Sequence, residues 1–288
     1  MFDIKQHSLY KPMEVDSAIF TVFKIYSKNF VSLYLSSFIA VFALQLFIYE
    51  FGFYELIQTV NPEEIQNNLG SFMNTIFMFM IGSVVVYGLL NSFIINYLYT
   101  RDFDKNITVS SILSESVKKY AVHMIFFLIV TMLILILGMA FGVIFFIVGA
   151  FIAAAYLGTT LISGSALVVV EQKNALEAIG RSFGLAHKDF WPTLGSLVLF
   201  ILIIILISLV LSAIVSIPYA LMFIDNWSES GNLFELFNSD MQEIGIWSVV
   251  INSLVSALTY PLFSILSLVL YVKLKYVEDQ KIHLDIPR

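Results

Sequence analysis

Hydrophobic and polar positions follow one another along this chain in long blocks. The longest apolar block is Tyr120–Val170, fifty-one residues without Lys, Arg, Asp or Glu, bounded by Lys119 and Glu171. A bilayer core about 30 Å thick is crossed by roughly 20 helical residues. The block therefore predicts two spans, about 120–142 and 147–170, with their turn between Gly138 and Gly149. Four more apolar blocks predict spans at about 30–49, 72–99, 193–223 and 246–272. In 197–217, seventeen residues are Leu, Ile, Val or Phe. Each favours insertion by about 0.3–0.6 kcal/mol near the bilayer centre.

Between the blocks the apolar period shortens to that of an amphipathic helix. Residues 1–15 are polar and are expected to form a loosely held tail. Asp16 or Ser17 can cap a first helix, with Ile19, Val22, Phe23, Tyr26 and Phe30 on one face and Lys24 and Lys28 on the other. Thr108 can cap a second, with Ile112, Leu113, Val117 and Tyr120 as its stripe and Glu115 and Lys119 as an i,i+4 pair. Glu171–Asp189 predicts a third. Asn174 and Glu177 resemble a capping box, Ala175, Ile179, Phe183, Ala186 and Phe190 form a stripe, and Glu177 and Arg181 are expected to pair at i,i+4. The three helices end in Lys28-Asn29-Phe30, Lys118-Lys119-Tyr120 and Lys188-Asp189-Phe190, and each precedes a two-span hairpin. This is either a three-module repeat or the common basic-then-aromatic character of segments that enter a membrane. Pro218 and Pro261 are expected to kink spans five and six. The expected fold is all-α: a polytopic membrane protein, one domain over 1–288, with six transmembrane helices as three hairpins and three short amphipathic helices on the cytoplasmic side.

Composition agrees, with 59% hydrophobic and 12% charged residues, against about 45–50% and 25% in soluble domains. The net charge of −6 hides a segregation. All fifteen bases lie in the N-terminal segment, 101–119, 173–188 and 273–288, whereas 50–71 and 225–243 carry acids and no base. Bases favour the cytoplasmic side, so both termini are expected in the cytoplasm, at the cell membrane. Trp191 is expected at the inner interface, Trp227 and Trp247 at the outer. No cleavable signal peptide is read in the first 28 residues; the first span would serve as insertion signal. Cysteine is absent, which excludes disulfides and thiol chemistry, and no basic surplus points to nucleic acid.

Chemistry inside the spans is sparse. His123 stands near a span end and reads as a surface residue. Asn91, Asn96 and Asn252 are the strongest intramembrane polar groups and are expected to bond between helices. Met73, Met78 and Met80 read as packed or lipid-facing, not as metal ligands. Gly138-x3-Gly142 has the form of a helix-contact motif, or simply lies by the central turn. The acidic residues Asp225, Glu229, Glu235, Asp240 and Glu243 lack the glycine of a calcium loop. No catalytic, cofactor-binding or metal residues are expected. Lys28, Lys119, Arg181 and Lys188 are expected to touch lipid headgroups. The expected partners are membrane lipids, anionic ones included, with a second copy or another membrane protein also open. The function expected is a non-enzymatic scaffold or lipid-interacting protein in membrane homeostasis. The alternative is a small-molecule or lipid transporter with a cavity between kinked spans five and six.

Residues Glu171–Gly195 carry a family-like pattern anchored at Glu171, Ala178, Arg181, Ser182, Phe183, Leu185, Lys188, Phe190, Trp191, Leu194 and Gly195. A second patch comprises Thr259, Pro261, Tyr271, Lys273, Lys275 and Glu278. Together they resemble the membrane domain attached to some glycerophosphoryl diester phosphodiesterases, and related free-standing bacterial membrane proteins. In such proteins catalysis belongs to a separate soluble barrel, which this sequence does not contain. The resemblance implies an integral membrane scaffold without phosphodiesterase activity.

Overall fold

The computed structural model describes residues 3–51, 69–144, 146–230 and 246–284, and all regular structure among them is helical. A 3-10 turn, Ile4–Gln6, precedes α1 (Val15–Lys28), α2 (Phe30–Glu50) and α3 (Leu69–Phe103). Then come α4 (Val109–Glu115), a π turn (Ser116–Tyr120), α5 (Ala121–Val143), α6 (Phe146–Leu161) and α7 (Gly164–Val170). The chain continues through α8 (Ala175–Ala186), α9 (Phe190–Ser230) and α10 (Ile246–Leu284). Six helical stretches are long and apolar enough to cross a membrane. The acidic residues expected within 52–68 and 231–245, and the side chains of Trp227 and Trp247, lie outside the described residues.

Two sequence expectations change at the ends of the spans. α4, the π turn and α5 form one continuous helix, Val109–Val143. The second amphipathic helix is therefore the start of span three and not a separate surface element. Thr108 caps it as expected, its hydroxyl accepting from Ser111 N–H at 3.3 Å. Ile112 and Tyr120 are buried, but Leu113 and Val117 are exposed. The π turn has a polar partner: Asn96 on α3 donates to Ser116 Oγ at 3.1 Å and to the Ile112 carbonyl at 3.4 Å, and accepts from Thr100 at 2.9 Å. Of the three basic–aromatic junctions, those at Asn29 and at 187–189 break the helix; the one at 118–120 does not. The helices run unbroken through Pro218 and Pro261.

The N-terminal segment is also not a loose tail. Ser8 donates from N–H and Oγ to the two carboxylate oxygens of Asp102, at 2.7 and 2.9 Å. The Tyr10 hydroxyl donates to Asp279 at 2.7 Å, and Leu9 and Met13 are buried. These partners stand 94 and 269 residues away, beyond the reach of local pattern.

The chain forms two compact units. The first comprises residues 1–34, 87–202 and 260–288, the second 35–86 and 203–259. In the second, Val41, Leu44 and Ile48 are buried, and the Phe47 ring lies over Gly82. In the first, α10 is the central element. From Leu262 to Leu274 nearly every side chain is buried on all faces, which marks a helix enclosed by protein. Of the most apolar stretch of each helix, 61% is buried in α10, against 11% in α5 and in α9; the latter two present Leu, Ile and Phe outward. Asn91 accepts from Ser264 on α10, the Tyr87 and Tyr260 rings stack at 4.4 Å, and Phe200 meets Phe263 edge-on. Asn91 and Asn96 thus bond as expected, while Asn252 and His123 are exposed.

The central turn falls between Val143 and Phe146. Gly142 is its determinant: a Cβ there would stand 2.5 Å from the Gly149 carbonyl oxygen. The Gly138-x3-Gly142 motif therefore packs α5 against α6, with Leu157 filling the space over Gly138.

Candidate functional site

The charged chemistry of the first unit gathers where its base-bearing segments meet. α8 supplies Arg181 from a helix capped by Asn174, whose Oδ1 accepts from Glu177 N–H at 2.9 Å. The apolar face of α8, Ala178, Leu185 and Ala186, is buried against α5, α6 and α7. Ser182 is fully buried, donating to the Thr160 carbonyl at 2.6 Å and standing 2.8 Å from Ser163 Oγ. The Tyr156 hydroxyl donates to His187 Nε2 at 3.1 Å, and His187 Nδ1–H donates to the Phe183 carbonyl at 2.8 Å. A helix docked this firmly aims its remaining charged side chains in fixed directions.

Those charges converge on Glu278. The apolar part of α10 ends at Val272, and Lys273–Leu284 is its charged extension. Arg181 clasps Glu278 with its two terminal guanidinium nitrogens, at 2.9 and 2.5 Å. Lys188 adds a bond at 2.7 Å and Lys275 one at 2.8 Å. Burial favours the neutral acid, but the three cationic donors outweigh it and hold the Glu278 carboxyl well below the usual range. The Glu278 bonds raise the pKa of Arg181 in turn, against the opposing effect of burial. Around this knot, Tyr271 donates to Glu171 at 3.1 Å, and the Arg181 Nε lies 3.7 Å from Glu171. The buried Lys273 ammonium stands 3.0 Å from Asp189, a charge pairing rather than an aligned hydrogen bond. Glu171, Arg181 and Lys188 belong to one family-like patch, Tyr271, Lys275 and Glu278 to the other; folding joins the two.

The expected i,i+4 pair of Glu177 with Arg181 is absent. Glu177 lies 3.8 Å from Lys173 instead. A bidentate bond to a shielded carboxylate exceeds an exposed helix-surface pair, which is worth only about 0.3–0.5 kcal/mol.

A second feature is a cavity of about 400 Å³ between the N-terminal segment, the end of α1 and the end of α3. It is lined by His7, Lys28, Arg101, Asp102 and Lys105, among others. His7 is 5% exposed, stacked on Tyr99 and edge-on to Phe103. Its Nδ1 accepts from Leu9 N–H at 3.2 Å, which makes the ring neutral with its proton on Nε2. Burial lowers the His7 pKa, outweighing Asp102 at 3.6 Å.

The four residues expected at headgroups therefore have different surroundings. Arg181 and Lys188 hold Glu278, and Lys119 holds Glu115 at 2.7 Å. Lys28 has no carboxylate partner among the described residues and lines the cavity. Glu278 was visible as a family-like position without a role; Arg101 and Lys105 carried no signal beyond the segregation of bases, and His7 carried none. Among the described residues, no group of three or more His, Asp or Glu is placed to hold a metal ion. The architecture is that of an all-α, multi-pass membrane protein. Comparison with family models, curated proteins and solved structures finds no match to this chain.

Proposed function

We propose that this is a non-enzymatic integral protein of the cell membrane, both termini cytoplasmic, whose base-rich end engages anionic lipid headgroups. The outer face of α1 carries the reading. Phe20 is 69% exposed, and Lys24 and Lys28 follow at four-residue steps on the same stripe, with no carboxylate partner among the described residues. Ala18, Ile19 and Val22 bury the opposite face. A helix docked on protein by one side, with an aromatic ring and free ammonium groups on the other, suits the headgroup boundary. The ring sits at the acyl edge and the lysine stems reach up to phosphate. Near an anionic surface each base contributes about 1 kcal/mol. The resemblance of 171–195 and 259–278 to phosphodiesterase membrane domains supports a scaffold role, since those patches build the Glu278 knot.

Spin-labelled lipids test the reading on the full chain in mixed bilayers. Phosphatidylglycerol should be immobilised in greater proportion than phosphatidylcholine, and Lys24→Gln with Lys28→Gln should at least halve the difference. Equal immobilisation of both lipids around the unmodified chain would sink it. For orientation, the chain has no cysteine, so Lys105→Cys and Ser239→Cys can be labelled singly. An impermeant maleimide should reach only position 239 on intact cells.

A further inference from the structure

The cavity between the N-terminal segment, α1 and α3 is more than a stretch of basic surface. Lys28, Arg101 and Lys105 come from two helix ends and the loop after α3 to line one space. None of the three has a carboxylate partner among the described residues. The one acid present, Asp102, spends both oxygens on Ser8. Arg101 is oriented by Tyr97, donating to its hydroxyl with its guanidinium 5.1 Å from the ring centroid. His7, buried in the wall, keeps an Nε2–H with no acceptor among the described residues.

Charge counting narrows the ligand. The three bases contribute three positive charges and Asp102 removes one. The C-termini of α1 and α3 each contribute about half a negative charge, and the N-terminus of α2, one residue beyond α1, about half a positive one. The balance is between about one and two positive charges, in a space of about 400 Å³, which suits a single, singly charged tetrahedral anion. We infer that this cavity is a binding site for one monoanionic phosphate group, held by Lys28, Arg101 and Lys105. Its position at the ends of the spans favours a phospholipid headgroup as the source over free phosphate. The inference rests on the reading of this end as lipid-facing, but it concerns one stoichiometric site, not the general selectivity of α1.

Native mass spectrometry of the full chain in non-ionic detergent, with added phosphatidylglycerol, tests it. One lipid should be retained per chain, and Arg101→Gln with Lys105→Gln should cut retention on the order of tenfold, as two bases at about fivefold each allow with some screening. Lys118→Gln, an exposed base outside the cavity lining, should leave retention unchanged. If the Arg101 variant fails to fold, Lys28→Gln with Lys105→Gln, both exposed, makes the same test. Displacement by millimolar inorganic phosphate, with the same sensitivity to the variants, assigns the site to free phosphate. Retention indifferent to the cavity variants, or no one-to-one species, overturns the site. In that case the spin-label preference of the unmodified chain stands or falls separately, read against Lys24→Gln alone, since Lys24 lies outside the cavity lining.

Discussion

Arg181 and Glu278, ninety-seven residues apart, face each other in a two-pronged ion pair with bonds of 2.9 and 2.5 Å. The planar fork of a guanidinium matches the two oxygens of a carboxylate, which gives direction as well as attraction. Lys188 and Lys275 complete the shell around the same acid. The knot fastens α8 to the extension of α10, so it joins the surface helix to the central one.

Removing the acid should therefore cost more than removing a surface charge. Glu278→Gln keeps the shape and leaves three cations facing one another. Breaking a buried pair costs about 3–5 kcal/mol. Arg181 and Lys188 keep 30% and 35% accessibility, so a loss of about 1–3 kcal/mol is expected here. The thermal midpoint in detergent should fall by several degrees, and Arg181→Lys, which loses the fork, should fall between wild type and Glu278→Gln. An unchanged midpoint for Glu278→Gln would remove the knot from the stability account.

The same acid sets an acid limb. Its folded pKa lies below its unfolded value of about 4.5. A depressed carboxyl stabilises fully above the unfolded pKa and loses that contribution as pH falls through the folded one. Stability should not respond to Glu278 between pH 5 and 8 and should decline below about 4.5. Glu278→Gln should flatten that decline in thermal scans taken from pH 6 down to 3.

His7 makes a prediction nearer neutrality. Burial holds it neutral below its ordinary pKa of 6.5, against the opposing pull of Asp102. A released segment would bind a proton that the docked segment refuses, so docking weakens as pH drops below about 6.5. Hydrogen exchange of residues 4–13, corrected for intrinsic rates, should be faster at pH 5.5 than at 7.5. His7→Phe, which keeps a ring between Tyr99 and Phe103, should erase the difference.

The central hairpin separates two glycines that look alike in sequence. Gly142→Ala would push a methyl against the Gly149 and Ala150 backbone, which cannot move without parting α5 from α6. Overpacking of this kind costs about 1–3 kcal/mol. Gly138→Ala meets only the end of the Leu157 side chain, which can rotate away, and should cost less than about 1 kcal/mol. Thermal midpoints of the two variants should differ in that order.

Asn96 should prove the most sensitive of the intramembrane amides. Two of its three bonds tie α3 to Ile112 of α4 and Ser116 of the π turn, and the third, from Thr100, stays within α3, while Asn252 is exposed. Interhelical bonds of this kind average about 0.6 kcal/mol, with a maximum near 1.7. Asn96→Leu should reach the upper figure and Asn252→Leu should lie near zero. Equal effects would mean that the π turn does not depend on its partner.

How much of this was legible in the chain depends on the range of the forces involved. The six spans, the all-α class and the gathering of bases into four segments are local properties: an apolar run of about 20 residues partitions into lipid whatever its neighbours do. The Thr108 and Asn174 caps and the Glu115–Lys119 pair were legible for the same reason, each closing within four residues. The structure alone decided that Arg181 turns from Glu177 to Glu278, that Ser8 and Tyr10 anchor the first segment, and that Lys28, Arg101 and Lys105 share one cavity. Those choices depend on which helix ends become neighbours. That is set by close packing, such as Gly142 against Gly149 and the stretch Leu262–Leu274 of α10, buried on nearly every face, and no local periodicity along a chain records it.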